Sequence, residues 1–305
     1  MKIAVVGSYG VGMTMRLQRV PGPGETLSGG EFSAGPGGKG SNQAIGAARL
    51  GAQVSFLTCI GDDVLAEEAR SLWNRENVDA THVIVGSQPT MVGFILVEDS
   101  GENRIIIASG ALRELTPEHV ETFRETMAQA DMVVVSMEIP TDAVVAALRI
   151  AKEEGTLTLL NPAPASPLPP EAWNWIDVLT PNQSEGQILL GLDADHGLAN
   201  LEVVSALRER TNAKIVLTLG AGGSLLDDNS SVATVSAFPV QQVVDTTGAG
   251  DSFTAALAVA LCEGLSFAES VEFASAAGAH TVTVPGVIDA LPTRANLASW
   301  TRVDQ

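Results

Sequence analysis

Short apolar runs alternate along the chain with longer stretches whose apolar residues recur at helical spacing. "KIAVVG" (2–7), "QVSFLTCIG" (53–61), "DMVVVSM" (131–137), "TLTLLN" (156–161), "DVLTPN" (177–182) and "AKIVLTLG" (213–220) are predicted to be buried strands. Between them "GSNQAIGAARLGA", "DDVLAEEARSLWNREN", "TPEHVETFRETMAQA" and "PTDAVVAALRIAKEEG" are predicted helices, with start signals such as Thr116-Pro117 and Thr141-Asp142. Strand and helix in alternation build a mostly parallel sheet with helices over it, an α/β fold. Ligands in such folds sit at the carboxyl ends of the strands, which is where chemistry is expected.

Two regions break the alternation. Residues 13–37 are rich in glycine and proline and lack a helical period. Residues 90–108 hold "TMVGFILVED" and "ENRIIIAS" around a Ser-Gly pair. Both are predicted to be antiparallel strands inserted between α/β units. Lying over the strand ends they would form a lid; the alternative is a pair of plain surface hairpins.

Composition narrows the partners. The 305 residues include 17 basic and 36 acidic ones, a formal charge of −19. Such a field repels nucleic acid and anionic lipid, and the four lysines (Lys2, Lys39, Lys152, Lys214) are scattered, so neither nucleic acid nor membrane is an expected partner. No apolar run approaches the roughly 18 residues of a membrane span. Cys59 and Cys262 sit in apolar runs outside any CxxC, which fits a reducing cytoplasm.

"VVDTTGAGDSF" (243–253) carries the strongest chemical signal. The apolar positions after it suit a helix ending near Gly264, which puts Asp251 at a helix start. Gly248-Ala249-Gly250 offers little side chain, so consecutive N–H groups can converge on an anion such as phosphate. A carboxylate beside that anion has a reason to be there if it takes a proton from an attacking hydroxyl. The same residues also suit a simple helix cap after a glycine turn. "GPGGKGSNQA" (35–44) is not a Walker A loop, since Gly40 follows Lys39. Lys39 and Asn42 still stand at a helix start, where their donors suit sugar hydroxyls; an ordinary helix start is the alternative. "TPNQSE" places Asn182 and Glu185 after a strand, as metal-water and phosphate contacts or as caps. "TLGAGG" (218–223) is a strand entering a turn that suits close passage of a nucleotide. "GSYGVGM" (7–13) lacks dinucleotide spacing, His82, His119, His196 and His280 lack metal-ligand spacing, and no G-x-S-x-G occurs.

These stretches, in this order, together with "CIGDD" and "LNPAPA", resemble the ribokinase-like, phosphofructokinase-B type family of carbohydrate and nucleoside kinases from about residue 2 to about residue 295. The resemblance implies one kinase domain over 1–305, a three-layer α/β sandwich with a small β lid, often a homodimer through the lids, using ATP and magnesium. It implies that Asp251 is the catalytic base, with Gly248, Ala249 and Gly250 as the anion hole. Gly38, Lys39, Asn42 and Glu138 fall on sugar contacts. Asn182, Thr218, Gly220, Gly223 and Ser275 fall on nucleotide contacts, and Glu185 on the acidic position linked to magnesium. Asp245, with Thr247, Thr281, Val284 and Gly286, falls on a monovalent cation site, usually potassium, and Ala290 stands where relatives offer a serine oxygen.

One departure bears on substrate. The family's aspartate that grips two sugar hydroxyls falls at Gly12, and a frequent polar neighbour falls at Gly10. Losing that carboxylate removes charge-assisted hydrogen bonds worth roughly 1.5–3 kcal/mol each. The expectation is a sugar kinase of pentose 5-hydroxyl type, or one redirected by the two glycines to deoxyribose, a nucleoside or a modified sugar; a non-catalytic sugar-binding protein is the reading from another class.

Overall fold

A computed structural model describes residues 1–100, 102–298 and 300. Its central sheet contains nine strands. In chain order these are β1 (Lys2–Val6), β4 (Gln53–Leu57), β6 (Val78–Asp79), β10 (Met132–Ser136), β11 (Leu157–Asn161), β12 (Val178–Leu179), β13 (Lys214–Thr218), β14 (Ser224–Asp227) and β15 (Val232–Val235). Across the sheet the order is β15-β14-β13-β12-β11-β10-β1-β4-β6. Every neighbouring pair from β13 to β6 is parallel, and the two pairings at one edge, β13 with β14 and β14 with β15, are antiparallel.

The parallel strands are buried on both faces, which is why their sequences read as continuous apolar runs. On β1, Ile3 and Val5 enter one core and Ala4 and Val6 the other. The first core is closed by α1 (Lys39–Arg49), α2 (Val64–Arg75), α8 (Ala249–Cys262), α9 (Phe267–Thr281) and α10 (Arg294–Leu297). The second is closed by α3 (Pro117–Glu121), α4 (Arg124–Ala128), α5 (Thr141–Glu154), α6 (Gln183–Leu189) and α7 (Asn200–Arg208). Helices on both sides of one sheet make the expected three layers.

A second sheet holds β2 (Gly10–Leu17), β3 (Glu31–Gly37), β8 (Val92–Glu98) and β9 (Asn103–Ala108), in the order β3-β2-β8-β9. Each predicted insertion is an antiparallel pair, but the two are joined by a parallel pairing of β2 with β8. That corrects the all-antiparallel expectation, and the sheet begins earlier than expected, at Gly10. Two predicted elements are also divided. The run 53–61 ends as a strand at Leu57 and resumes as β5 (Cys59–Ile60), paired with β7 (Ile84–Val85). The helical stretch 116–130 breaks between α3 and α4, at Thr122-Phe123.

Arg49, the last residue of α1, ties this frame together. Its guanidinium grips Glu76 at 2.8 and 2.9 Å and donates to the carbonyls of Ile288 and Leu291 at 2.6 and 2.8 Å. It thereby fixes α1 to the end of α2 and to the segment beyond α9. Both side chains are mostly buried, so deleting one leaves a carboxylate and two carbonyls without a donor. Arg49→Met is expected to cost about 3 kcal/mol, read as a lower urea midpoint; a loss below about 1 kcal/mol would show a surface pair of little weight.

Candidate active site

Helix α8 begins at Gly248, whose φ of +80° is a left-handed conformation that a side chain disfavours. The turn aims the helix start at the carboxyl ends of the strands. The Asp245 carboxylate pins this turn by accepting the Thr247 N–H at 2.9 Å and the Gly286 N–H at 3.3 Å. Those donors outweigh partial burial and hold Asp245 below the usual carboxylate range. The N–H groups of Gly250 and Asp251 find no acceptor among the described residues. Two unpaired N–H groups at the start of a 14-residue helix are a ready anion site.

Asp251 is buried just inside this helix start. Its Oδ2 accepts from Asn42 Nδ2 at 2.8 Å and its Oδ1 from Gln43 Nε2 at 3.2 Å. Both amides come from α1, which enters after Gly38 at φ +89°; a Cβ there would lie 2.6 Å from the Tyr9 Cα. Gln43 Nε2 also donates to Asn161 Oδ1 at 3.1 Å, and Asn161 Nδ2 donates to the Thr180 carbonyl at 3.2 Å. Burial pushes the Asp251 carboxyl above its ordinary value, against Lys39 and the Asn42 amide, which pull it down. Burial acts on Lys39 in the lowering direction, yet the combined fields of Asp251, Glu138 and Glu185 hold the ammonium above its usual pKa. Lys39 is therefore a fixed cation beside the carboxylate.

Two cavities meet here. One, of about 310 Å³, is lined by Asn161, Asn182, Glu185, Thr218 and the start of α8. The other, of about 810 Å³, lies beneath the small sheet and is lined by Gly10, Gly12, Gly38, Asn42 and Glu138 among others. Lys39, Thr247, Gly248 and Asp251 line both. A carboxylate between two chambers, next to an anion site and a fixed ammonium, can take a proton from one bound molecule while a phosphoryl group moves to it from another.

Most of the sequence-predicted residues converge on these cavities. Asn182 and Glu185 line the smaller one and also cap α6 reciprocally at 2.8 Å, so the cap reading holds and leaves both residues on the cavity wall. Burial raises the Glu185 carboxyl above its ordinary range. Glu138 accepts from Ser8 Oγ and, at 3.1 Å, from the Lys39 N–H, which fixes it at the cavity wall. Asp245, Thr247 and Gly286 line the larger cavity. Gly220, Gly223, Ala249, Ser275, Thr281 and Val284 line neither. Ser275 Oγ is turned onto the Val271 carbonyl of its own helix, and Thr281 Oγ1 onto that of Ala277. Gln43 and Asn161 received no role from sequence, although Asn161 was visible as the polar residue closing the strand "TLTLLN" and Gln43 as the polar neighbour of Asn42 at the helix start.

The glycines of β2 differ from one another. A Cβ at Gly10 would fall 2.4 Å from Met91 Cε, so Met91 already occupies the space a side chain would need. A Cβ at Gly12 would meet Ile95 Cδ1 at 3.7 Å, an ordinary contact. Only Gly12 leaves the larger cavity wider.

The sequence and the fold match known proteins. The family model for pfkB family carbohydrate kinases matches residues 2–294. The chain belongs to this family. It is 36% identical over 293 residues to the ribokinase of Haemophilus influenzae, covering 96% of this chain and 95% of that one. It is 35% identical over 302 residues to the ribokinase of Schizosaccharomyces pombe, with 95% of each covered. Its fold superimposes on Arabidopsis thaliana ribokinase, solved with ribose and ATP, with a TM-score of 0.91 at 31% identity over 99% of both chains. As a pfkB-family member the protein is an ATP-dependent sugar kinase of ribokinase type.

A carboxyl whose pKa is raised by folding binds its proton more readily in the native state, so keeping Asp251 ionised near neutrality costs stability. Asn42 Oδ1 and Gln43 Oε1 are buried without partners, and an asparagine amide can donate to one of them. Asp251→Asn is expected to melt no lower than the parent at pH 7.5, with the difference shrinking as pH falls and the parent's carboxyl takes up its proton. A clearly lower melting temperature would contradict this electrostatic account. Separately, Lys39→Met removes the cation that pulls Asp251 down, so the acid limb of its kcat/KM profile should move to higher pH; an unmoved limb would disconnect the two groups.

Proposed function

We propose that a sugar hydroxyl in the larger cavity gives its proton to Asp251 and attacks the γ-phosphoryl of ATP lying in the smaller one. The observation that carries this reading is the position of Asp251 on the shared wall of both cavities. The new bond joins the acceptor oxygen to the γ-phosphorus, the bond to the bridging oxygen breaks, and ADP leaves. The Gly250 and Asp251 N–H groups and Lys39 take the charge of the transferring group. Phosphoryl transfer needs little base strength, so a carboxylate suffices. Asn42 and Gln43 hold that carboxylate in one orientation. Gly38, Lys39, Asn42 and Glu138 contact the acceptor, while Asn182, Thr218 and Gly220 to Gly223, with Ser275, flank the nucleotide.

Among the described residues no group of three or more His, Cys, Asp or Glu side chains is poised for a metal ion. That suits magnesium, which keeps most of its waters and binds through substrate phosphates with one or two carboxylates. Glu185 on the wall of the smaller cavity is the carboxylate for that shell; the ion would supply charge neutralisation of the phosphates. For potassium the supporting group is Asp245, an ionised carboxylate next to the anion site with Thr247 and Gly286 beside it. Thr281 and Val284 would add carbonyls, while buried Ala290 adds none from its side chain.

The acceptor follows from the larger cavity. A pentose phosphorylated on its 5-hydroxyl is the direct reading; the room at Gly12 favours an acceptor that differs from ribose. The chain is read as one kinase domain over 1–305 working in the cytoplasm, with the small sheet as its lid. Phe94 and Ile106 stand opposite each other in β8–β9, are 48% and 63% exposed, and line neither cavity. Exposed apolar side chains on a strand pair support a homodimer through the lids. A dimeric mass in solution at micromolar concentration, lost in Phe94→Lys, is the expected result; a monomeric parent would refute it.

The functional test is ADP release from magnesium-ATP over pentoses, hexoses and nucleosides, each with and without potassium. Acceptor-dependent ADP release is the expected result, falling by at least about tenfold without magnesium. Release that no acceptor stimulates would contradict the proposal.

A further inference from the structure

Asn161 ends β11 with a buried side chain that the transfer chemistry leaves without a task. Its backbone is held firmly. Its carbonyl accepts the Met137 N–H at 3.1 Å and the Ala163 N–H at 2.9 Å, and in the sheet it stands opposite Ser136. Its Nδ2 faces two groups that can only accept. One is the Thr180 carbonyl at 3.2 Å. The other is Thr180 Oγ1 at 3.5 Å, whose own proton goes to the Leu160 carbonyl at 3.4 Å. A carbonyl has no proton to give, so the Asn161 amide has one polarity: nitrogen towards Thr180, oxygen towards α1.

That polarity is handed on. Asn161 Oδ1 accepts from Gln43 Nε2 at 3.1 Å, and the second proton of the same nitrogen goes to Asp251 Oδ1 at 3.2 Å. Gln43 is buried, and its Oε1 has no partner among the described residues. Turning its amide over would set Oε1 against the oxygens of Asn161 and Asp251 and take a donor from the carboxylate. The Asn42 amide has no such anchor. Its Nδ2 donates to Asp251 Oδ2, and its Oδ1 is buried without a partner among the described residues, so this amide can turn. Asn161 and Thr180 line the smaller cavity and Asn42 the larger, so the fixed amide is rooted in the wall of one chamber and the turnable amide stands in the wall of the other.

This step rests on Asp251 being the base. We infer that Asn161 is a positioning residue for the phosphoryl transfer: anchored on the Thr180 carbonyl, it locks the Gln43 amide as a donor to Asp251 Oδ1 and leaves Oδ2 as the oxygen that takes the proton of the acceptor hydroxyl. The hydroxyl oxygen bonds to the γ-phosphorus, the bond to the bridging oxygen breaks, and the proton arrives on Oδ2, where a turned Asn42 accepts it. Lys39 of α1, Glu138 beyond β10 and Glu185 of α6 share the field of Asp251, and Arg16, Arg75, Asp245 and Asp289 also line the larger cavity. A substitution at Asn161 by a neutral residue alters none of these charges, so its effect on the base reports the amide.

Asn161→Leu keeps most of the volume and removes both ends of the lock. Its kcat is expected to fall by at least about tenfold, with the KM values for ATP and for acceptor within about threefold of the parent. A freed Gln43 can present Oε1 and favour the protonated carboxyl, so the acid limb of kcat should move to higher pH and the loss should shrink as pH rises. Gln43→Met removes the donor itself, and adding Asn161→Leu to it should cost little more, because Asn161 acts only through Gln43. A higher KM for ATP with kcat unchanged would overturn the inference and make Asn161 a nucleotide contact. Losses that multiply in the double variant would overturn it too. Asn161→Ala takes the same measurements where the leucine variant does not fold. Turnover of Asp251→Asn at the parental rate would strike the base reading by itself. The titration of the Asp251 carboxyl, followed by carbon NMR, then tests the lock alone: a higher midpoint in Asn161→Leu is expected, and an unmoved one would contradict it.

Discussion

A carboxylate buried at a helix start, with two amides on its oxygens and an ammonium beside it, sets the terms for the rest of this molecule. Asp251 is expensive to keep ionised where it is, and each neighbouring element answers that cost. Helix α1 supplies Asn42 and Gln43 to its two oxygens and Lys39 as the counter-charge. Helix α8 supplies the positive end of its dipole and two unpaired N–H groups. The parallel sheet brings these helices together, since α1 and α8 pack on the same face and Asn161 closes the network from the end of β11. Pulling α1 away from α8 would leave a bare charge in a low-dielectric site. Fold and chemistry are thus held by one set of contacts.

Much of this was legible in the residues themselves. Apolar runs buried on both faces announced the parallel sheet, and "GAGD" before an apolar helical stretch announced a carboxylate at a helix start. What could not be read were relations between distant segments. Nothing near Gly12 in sequence tells that β2 pairs parallel with β8, because that register depends on how two insertions meet in space. Nothing in "GSNQA" tells that Gln43 reaches a residue more than 200 positions away. Gly10 and Gly12 looked alike in the sequence, and only packing separates them: Met91 fills the place beside one and leaves the other open. The break at Thr122-Phe123 was hidden as well, since the helical period runs across it and Phe123 is buried as a helical core residue would be. The nucleotide roles proposed for Gly220, Gly223 and Ser275 rest on resemblance, as these residues lie outside both cavities.

The two cavities differ in how they are built. The smaller is built from strand ends and helix starts that the fold itself requires, including the reciprocal cap of Asn182 and Glu185. The larger is walled by the small sheet, whose side chains bear little of the core. On the proposed reading, a change on β2 such as Gly12 alters what is bound without disturbing how a phosphoryl group is moved. This separation is the physical reason that the transfer machinery and the acceptor preference can diverge within a family of one fold.

The central claim is that Asp251 acts on the reacting atoms and does not merely cap α8. The most direct measurement sets single-turnover phosphorylation by Asp251→Asn beside its equilibrium binding of ATP and of acceptor. The account predicts a rate lower by about 10²- to 10⁴-fold, with both affinities within a few-fold of the parent. A rate close to the parent's, or a loss that follows weakened binding alone, would contradict it.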